Sequence, residues 1–244
     1  MHRFFAEQDA FQGNQVRLLG SDARQIGRVL RLKPGDRIEV LNGAGGSFVV
    51  SLEAVGQSEV RGTILGEGEK DLDFQVPIIL AQALLRFTKM DWVVQKATEL
   101  GISQLIPLRT ERTCLRGEAS EGRLSRWRRI AKESSEQCLR RTIPRISPPQ
   151  DLRDFLEQDV SVKKILLWEG ETRRRLGEVF RSDPAPLPGY VLLVGSEGGF
   201  SRQEVEKAES KGYISASLGS RILRAESVPL VALSVLQYER GDLA

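Results

Sequence analysis

Polar and apolar residues alternate in three short stretches of the first third of the chain: Arg37-Ile38-Glu39-Val40, Ser51-Leu52-Glu53-Ala54-Val55 and Val60-Arg61-Gly62-Thr63-Ile64. A period of two puts every second side chain on one face, so these stretches predict half-buried strands. Pro34-Gly35-Asp36 supplies a turn, and the segment 42–46, Asn-Gly-Ala-Gly-Gly, predicts a hairpin loop. A short helix is expected over 23–30. The polar, glycine-rich segment 66–71 then interrupts the pattern, giving a small β domain over 1–72 and a second domain over 73–244.

Beyond that boundary the rhythm becomes strand, helix, strand, helix. Apolar runs at 76–81, 104–108, 164–168, 190–194 and 214–218 predict buried strands. Met90, Val93, Val94, Ala97 and Leu100 share one helical face, with Thr88 and Asp91 as the expected cap and Gly101 as the stop. Leu124, Trp127, Ala131, Ser134 and Cys138 mark the inner side of a second, basic helix. Ser201 and Glu204 form a capping box, and the helix over 227–238 is apolar on nearly every side, with Pro229 tolerated in its first turn. Such alternation predicts an α/β domain with a mostly parallel sheet covered by helices.

Composition narrows the chemistry. Of 244 residues, 40% are hydrophobic, an ordinary globular share once glycine is added. The longest apolar stretches, 76–85 and 228–236, fall short of the roughly 20 residues of a membrane span, and no secretory signal opens the chain, so a soluble cytoplasmic protein is expected. The single histidine, His2, leaves no interior base for a histidine-dependent triad. Cys114 and Cys138 are far apart, so neither a zinc cluster nor any other metal site is expected. The net charge is only +3, yet eleven basic residues, ten of them arginine, face five acidic ones between Arg109 and Arg145. Guanidinium forks suit phosphate. A solvated helix face would read the same way.

Two loops carry the candidate chemistry. The first, Val194-Gly195-Ser196-Glu197-Gly198-Gly199-Phe200-Ser201, leaves an apolar strand and enters a capped helix. Glycines there allow a flat ligand close to the backbone, and helix starts favour anions, although neither a phosphate-loop nor a dinucleotide motif is present. The second, Leu218-Gly219-Ser220-Arg221-Ile222-Leu223-Arg224-Ala225-Glu226-Ser227, sets two arginines and a glutamate between hydrophobic residues at another strand end. Such charges need partners, either each other or a ligand.

Together with Arg28-Val29-Leu30-Arg31, Gly35-Asp36, Gln95 to Gly101, Pro107, Glu111-Arg112 and Glu136-Gln137-Cys138 with Arg140 and Pro144, these loops resemble RsmE, the bacterial 16S rRNA uridine-N3 methyltransferase family of the SPOUT trefoil-knot class. The resemblance covers nearly the whole chain. It implies an N-terminal PUA-like β-barrel, a C-terminal α/β knot, S-adenosylmethionine as cofactor, a homodimer, and uridine 1498 of 16S rRNA on the small ribosomal subunit as target. It places Leu167, Trp168, Gly195, Ser196, Gly198, Gly199, Leu218, Gly219, Ile222 and Leu223 at the cofactor. Arg224 becomes the candidate for holding the uracil, with Glu197 and Glu226 as bases or orienters, and Arg3, Arg31, Arg112, Arg140 and Arg141 as RNA contacts. Three departures from the family pattern stand out: Ser196 replaces a proline, Ser227-Val228 replaces Thr-Ala, and Gln25 stands where histidine is frequent. A knot-class enzyme with another target nucleotide, and a non-catalytic ribosome-assembly factor, are the alternative readings.

Overall fold

The computed structural model describes residues 1–43, 45–68, 76–86, 88–113, 121–158, 161–182 and 187–240. Cys114, Arg116 and the end of the predicted boundary, 69–71, lie outside the described residues. The chain forms two compact units, one of Met1–Asp73 with Ser135–Ile143, the other of Phe74–Ser134 with Pro144–Ala244.

The first unit contains β1 (Arg3–Phe5), β2 (Phe11–Gln12), β3 (Gln15–Leu19), α1 (Gly20–Arg24), β4 (Arg37–Leu41), β5 (Ser47–Val55) and β6 (Glu59–Glu67). The strands form one sheet in the order β1-β4-β5-β6-β3-β2, antiparallel except for β1 on β4. The three alternating stretches become β4, β5 and β6, and Phe4, Leu18, Ile38, Val40, Val50, Leu52 and Val60 bury the apolar face. Asn42 closes the β4–β5 hairpin, its side chain accepting from the Gly46 N–H at 2.9 Å. The helix expected over 23–30 is instead one turn of α-helix, α1, followed by a wider π-turn over Gln25–Val29. That turn leaves Gln25 exposed and buries Ile26.

A nine-residue return, 135–143, completes this unit, and one buried carboxylate holds it. Glu39, 4% exposed on β4, takes Arg3 Nε at 2.5 Å and Arg141 Nη2 at 3.5 Å, and accepts from the Ser47 hydroxyl. Arg3 also donates to the Leu139 carbonyl, and the Phe5 N–H donates to Glu136 Oε1 at 3.2 Å. Leu139 adopts a left-handed conformation (φ 64°) at the end of the basic helix, where glycine is usual. That costs roughly 1–2 kcal/mol, which its carbonyl's bond to Arg3 helps offset. Three residues expected as RNA contacts thus stand in or beside this cluster. Arg141 is 5% exposed and paired with Glu39, Arg3 is engaged in the same cluster, and Arg140 is 9% exposed and reaches Thr142 Oγ1 at 3.3 Å. The Arg3 and Arg141 guanidinium groups so engaged help hold the return segment to the sheet.

The second unit adds β7 (Ile78–Ala83), α2 (Lys89–Glu99), β8 (Gln104–Arg109), α3 (Glu121–Gln137), β9 (Arg145–Ile146), β10 (Gln150–Asp151), α4 (Leu152–Leu156), β11 (Lys163–Leu167), α5 (Leu176–Arg181), β12 (Tyr190–Val194), α6 (Arg202–Ser210), β13 (Ile214–Ala216) and α7 (Ser227–Arg240). The main sheet runs β10-β8-β7-β12-β11-β13, with β9 also on β8, and all its described pairings are parallel. Every residue of β12 is buried, as an all-apolar strand covered on both faces must be. The Ser201–Glu204 capping box forms in full at α6. The Thr88 cap does not: Thr88 is helical and makes no capping bond, while Asp91 accepts from Trp127 Nε1 at 3.0 Å and Arg126 Nε at 2.9 Å. Gly101 ends α2 at φ 83°, and Gln237 of α7 donates to the preceding Leu100 carbonyl at 2.9 Å. A side chain at Gly101 would strike that glutamine. Among the described residues no helix is long and apolar enough to cross a membrane.

Burial opposes ionisation of Glu39, but the Ser47 hydroxyl, Arg3 and Arg141 outweigh it and hold the carboxyl below the usual glutamate range. A pKa lowered by folding stabilises above the unfolded value, and that contribution is lost as pH falls through the folded value. Stability of the first unit should therefore be flat near neutrality and decline below about pH 4.3. Glu39→Ala, which leaves Arg141 buried without its carboxylate, should cost about 3–5 kcal/mol and remove that part of the acid dependence in denaturant titrations followed against pH.

Candidate active site

Register in the parallel sheet fixes where the two loops meet. Leu167, Val194 and Ala216 are direct partners at the carboxyl ends of β11, β12 and β13, with β11 in the middle. The chain therefore leaves three adjacent strands at one level, the edge where ligands bind in open α/β sheets. Residues 168–169, 195–199 and 217–226 line a single cleft there, joined by Lys89 and Val228, with a volume of about 460 Å³. Every residue expected at the cofactor or in catalysis lies on this cleft.

The glycine loop is braced from several directions. Gln82, fully buried on β7 and paired with Val194, donates through Nε2 to the Gly195 carbonyl at 3.1 Å. Ser196, the departure from the family's proline, donates to the Arg112 carbonyl at 3.2 Å, and its own carbonyl accepts from the Gly199 N–H at 2.9 Å. A hydroxyl thus supplies the restraint that a proline ring would supply through φ. Arg112 braces the same turn, Nη1 donating to the Gly198 carbonyl at 3.1 Å. Gly199 is favoured by its φ of 67°, which L side chains rarely adopt. On the second loop Gly219 has φ 117°, and its N–H donates to Ser217 Oγ at 3.2 Å. Ile222 is 86% exposed, unusual for a large aliphatic residue, and stands on the cleft rim.

The charged groups organise around Lys89, which the pattern of the sequence does not single out. Its Nζ lies 3.1 Å from Glu226 Oε2 and 3.4 Å from Glu197 Oε1, so one ammonium joins a carboxylate from each loop. Glu197 Oε1 also accepts from the Arg86 N–H at 3.1 Å. Lys89 is the first residue of α2, where a cation opposes the helix dipole by roughly 0.3–1 kcal/mol. That local misfit was the available signal. Burial works against the Glu226 carboxylate, but its own backbone N–H, Lys89 and Arg224 prevail and lower its pKa, while Lys89 is raised by Glu226 and Glu197. Arg224 lies on the cleft, and its guanidinium has no hydrogen bond or ion pair within the lengths of such contacts among the described residues, although its charge acts on Glu226.

Comparison with known proteins agrees with this arrangement. A family model described as an RNA methyltransferase domain matches residues 73–237, and one described as an RNA methyltransferase PUA domain matches residues 18–74. The ribosomal RNA small subunit methyltransferase E of Synechocystis is 35% identical over 224 residues, covering 90% of this chain and 71% of the relative. The protein of that name from Bacillus subtilis is 29% identical over 256 residues, covering 99% of this chain and 100% of its own. A crystal structure of the Neisseria gonorrhoeae protein, bound to S-adenosyl methionine, matches with a TM-score of 0.90 at 29% identity over 100% of both chains. With its PUA-like unit, its parallel α/β unit and a cleft built from both matched loops, the chain belongs to the ribosomal RNA small subunit methyltransferase E family, in the SPOUT class.

Proposed function

We propose that this protein transfers a methyl group from S-adenosylmethionine to N3 of a uridine in 16S rRNA, working in the cytoplasm as a homodimer on the small ribosomal subunit. The observation that carries the reading is the cleft at the aligned ends of β11, β12 and β13. Its volume suits a nucleoside-sized ligand. Gly195 and Gly199 keep one wall free of side chains, since a Cβ at either would crowd its neighbours. Leu167, Trp168, Leu218, Ile222 and Leu223 supply apolar surface for an adenine ring, and the backbone at 195–199 and 218–219 supplies polar groups. Family resemblance specifies uridine 1498 as the nucleotide.

S-adenosylmethionine, when bound, supplies a methyl group on a sulfonium that is already a good leaving group. The chain's residues have two remaining tasks, to hold N3 in line and to manage its proton. Alignment can remove roughly 7–11 kcal/mol from a barrier, whereas a positioned base contributes about 10²–10⁴-fold, so placement dominates. Arg224, with its guanidinium open to the cleft, donates to the uracil oxygen on which charge grows as the N3–H bond weakens. Glu226, held by Lys89, places a fixed negative charge beside Arg224, and the N3 proton passes to solvent water at the open cleft as the N–CH3 bond forms and the methyl–sulfur bond breaks. Glu197, fixed by Arg86 N–H and Lys89, holds the tip of the glycine loop.

Phosphate contacts belong to the exposed face of α3, where Arg123, Arg126, Arg128 and Arg129 point outward, with Arg31 and Arg112 also exposed. For the dimer, α2 and α7 pack together and leave Trp92, Val231 and Tyr238 on their surface, a face suited to a second copy.

Three measurements test these assignments. Purified protein should methylate small subunits lacking the modification, with the mark at uridine N3 by mass spectrometry; Arg224→Ala should lower turnover about 10²–10³-fold while calorimetric affinity for S-adenosylmethionine stays near that of the parent. Charge reversal at Arg123 and Arg129 should weaken RNA binding and shallow its salt dependence by roughly 0.7–0.9 log units per lost contact. Val231→Glu should shift the protein from dimer to monomer in sedimentation velocity; a parent that sediments as a monomer removes the dimer from the account.

A further inference from the structure

The proposed chemistry assigns roles to residues of the two loops, yet the group that connects those loops comes from neither. Lys89 enters the cleft from the start of α2, and the strand before that helix, β7, is the sheet neighbour of β12. The ammonium therefore reaches both loop tips at once, Glu226 at 3.1 Å and Glu197 at 3.4 Å. The side chains of Lys89, Glu197 and Glu226 are 34%, 24% and 17% exposed, placing the bridge at the cleft wall, in reach of a bound substrate.

The bases of both loops are anchored without it. Gly195 is held by Gln82, the glycine turn by Ser196 and Arg112, and Ser217 by its N–H donating to the Arg174 carbonyl at 2.9 Å. The loops would stay side by side if Lys89 lost its charge. What the ammonium determines is the position and ionisation of Glu226, the counter-charge nearest in sequence to Arg224, two residues earlier on the same turn. The charged groups facing Glu226 are Lys89 from α2 and Arg224 from its own loop, with Glu197 of the glycine loop across the ammonium.

We propose that Lys89 is a positioning residue for methyl transfer, tying Glu226 to Glu197 so that Arg224 is presented to the acceptor base. This rests on the methyltransferase reading above and extends it to a residue outside both loops. A uracil entering the cleft meets Arg224 beside a carboxylate that Lys89 already holds in place, so the counter-charge is set in advance and only the arginine has to settle on the base.

The test compares the full-length parent with Lys89→Met, Lys89→Arg and Lys89→Met combined with Glu226→Gln, measuring kcat on unmethylated small subunits from about pH 5 to pH 8 and cofactor affinity by calorimetry. Lys89→Met should bind S-adenosylmethionine within a few-fold of the parent and lose at least tenfold in kcat. Its loss should deepen toward acid pH, because Glu226 without the ammonium takes up its proton at higher pH than in the parent. Lys89→Arg should recover most of the rate, and Glu226→Gln in the Lys89→Met background should abolish the acid limb. Parent-like kcat across the range in Lys89→Met overturns the proposal. So does an equal fall in cofactor affinity and kcat with an unchanged pH profile, the mark of a purely structural tie. A parent that binds the cofactor and transfers no methyl group would overturn the methyltransferase reading itself, separately from any variant.

Discussion

The cleft depends on β11 lying between β12 and β13 in a parallel register that ends all three strands at one level. Parallel strands emit their chains from the same edge, so loops remote in sequence become neighbours once their strands are. Here the intervening strand contributes the Leu167–Trp168 wall, and the strands on either side contribute the two glycine-bearing loops. Slipping β13 by one residue against β11 would turn its side chains to the other face and carry the second loop away from the first. Burial of Ser215 and Ala216 on β13 itself is what makes that slip costly.

On this frame the charged groups serve two different ends. In the first unit Glu39 is enclosed with Arg3, Ser47 and Arg141, and the cluster fastens a segment from the middle of the chain onto the sheet. At the cleft, Lys89, Glu197 and Glu226 stay partly open to water, and the guanidinium of the adjoining Arg224 makes no hydrogen bond or ion pair among the described residues. Both are ion-pair networks with neighbouring arginines. Enclosure separates a fastening from a site, because a guanidinium shut in with its carboxylate cannot be reached, while one at a cleft wall can exchange water for substrate.

This difference explains which arginines the primary sequence could assign. Arg3, Arg140 and Arg141 look alike in a basic stretch or an N-terminal strand, and nothing local says that Glu39 waits for two of them. Arg123 and Arg129 have the same composition around them and remain outward. Lys89 carried a weak local signal, a cation at a helix start, but its carboxylates lie more than a hundred positions away. Thr88 shows the converse, a plausible cap set aside because Asp91 is taken by Trp127 and Arg126 of α3.

Local order set the rest. The alternation in β4, β5 and β6, the unbroken apolar run of β12, the capping box of α6 and the positive-φ glycines at 101, 199 and 219 are nearest-neighbour properties, governed by side-chain period and backbone sterics. The ordered glycine and arginine loops carried the family likeness for the same reason, since backbone approach to a ligand constrains the residue itself. Strand order, the return of 135–143 to the first unit and the meeting of Lys89 with two distant glutamates were decided by the tertiary structure alone. Each is a pairing across long chain separations, and a sequence specifies such a pair only through the packing that brings both halves together.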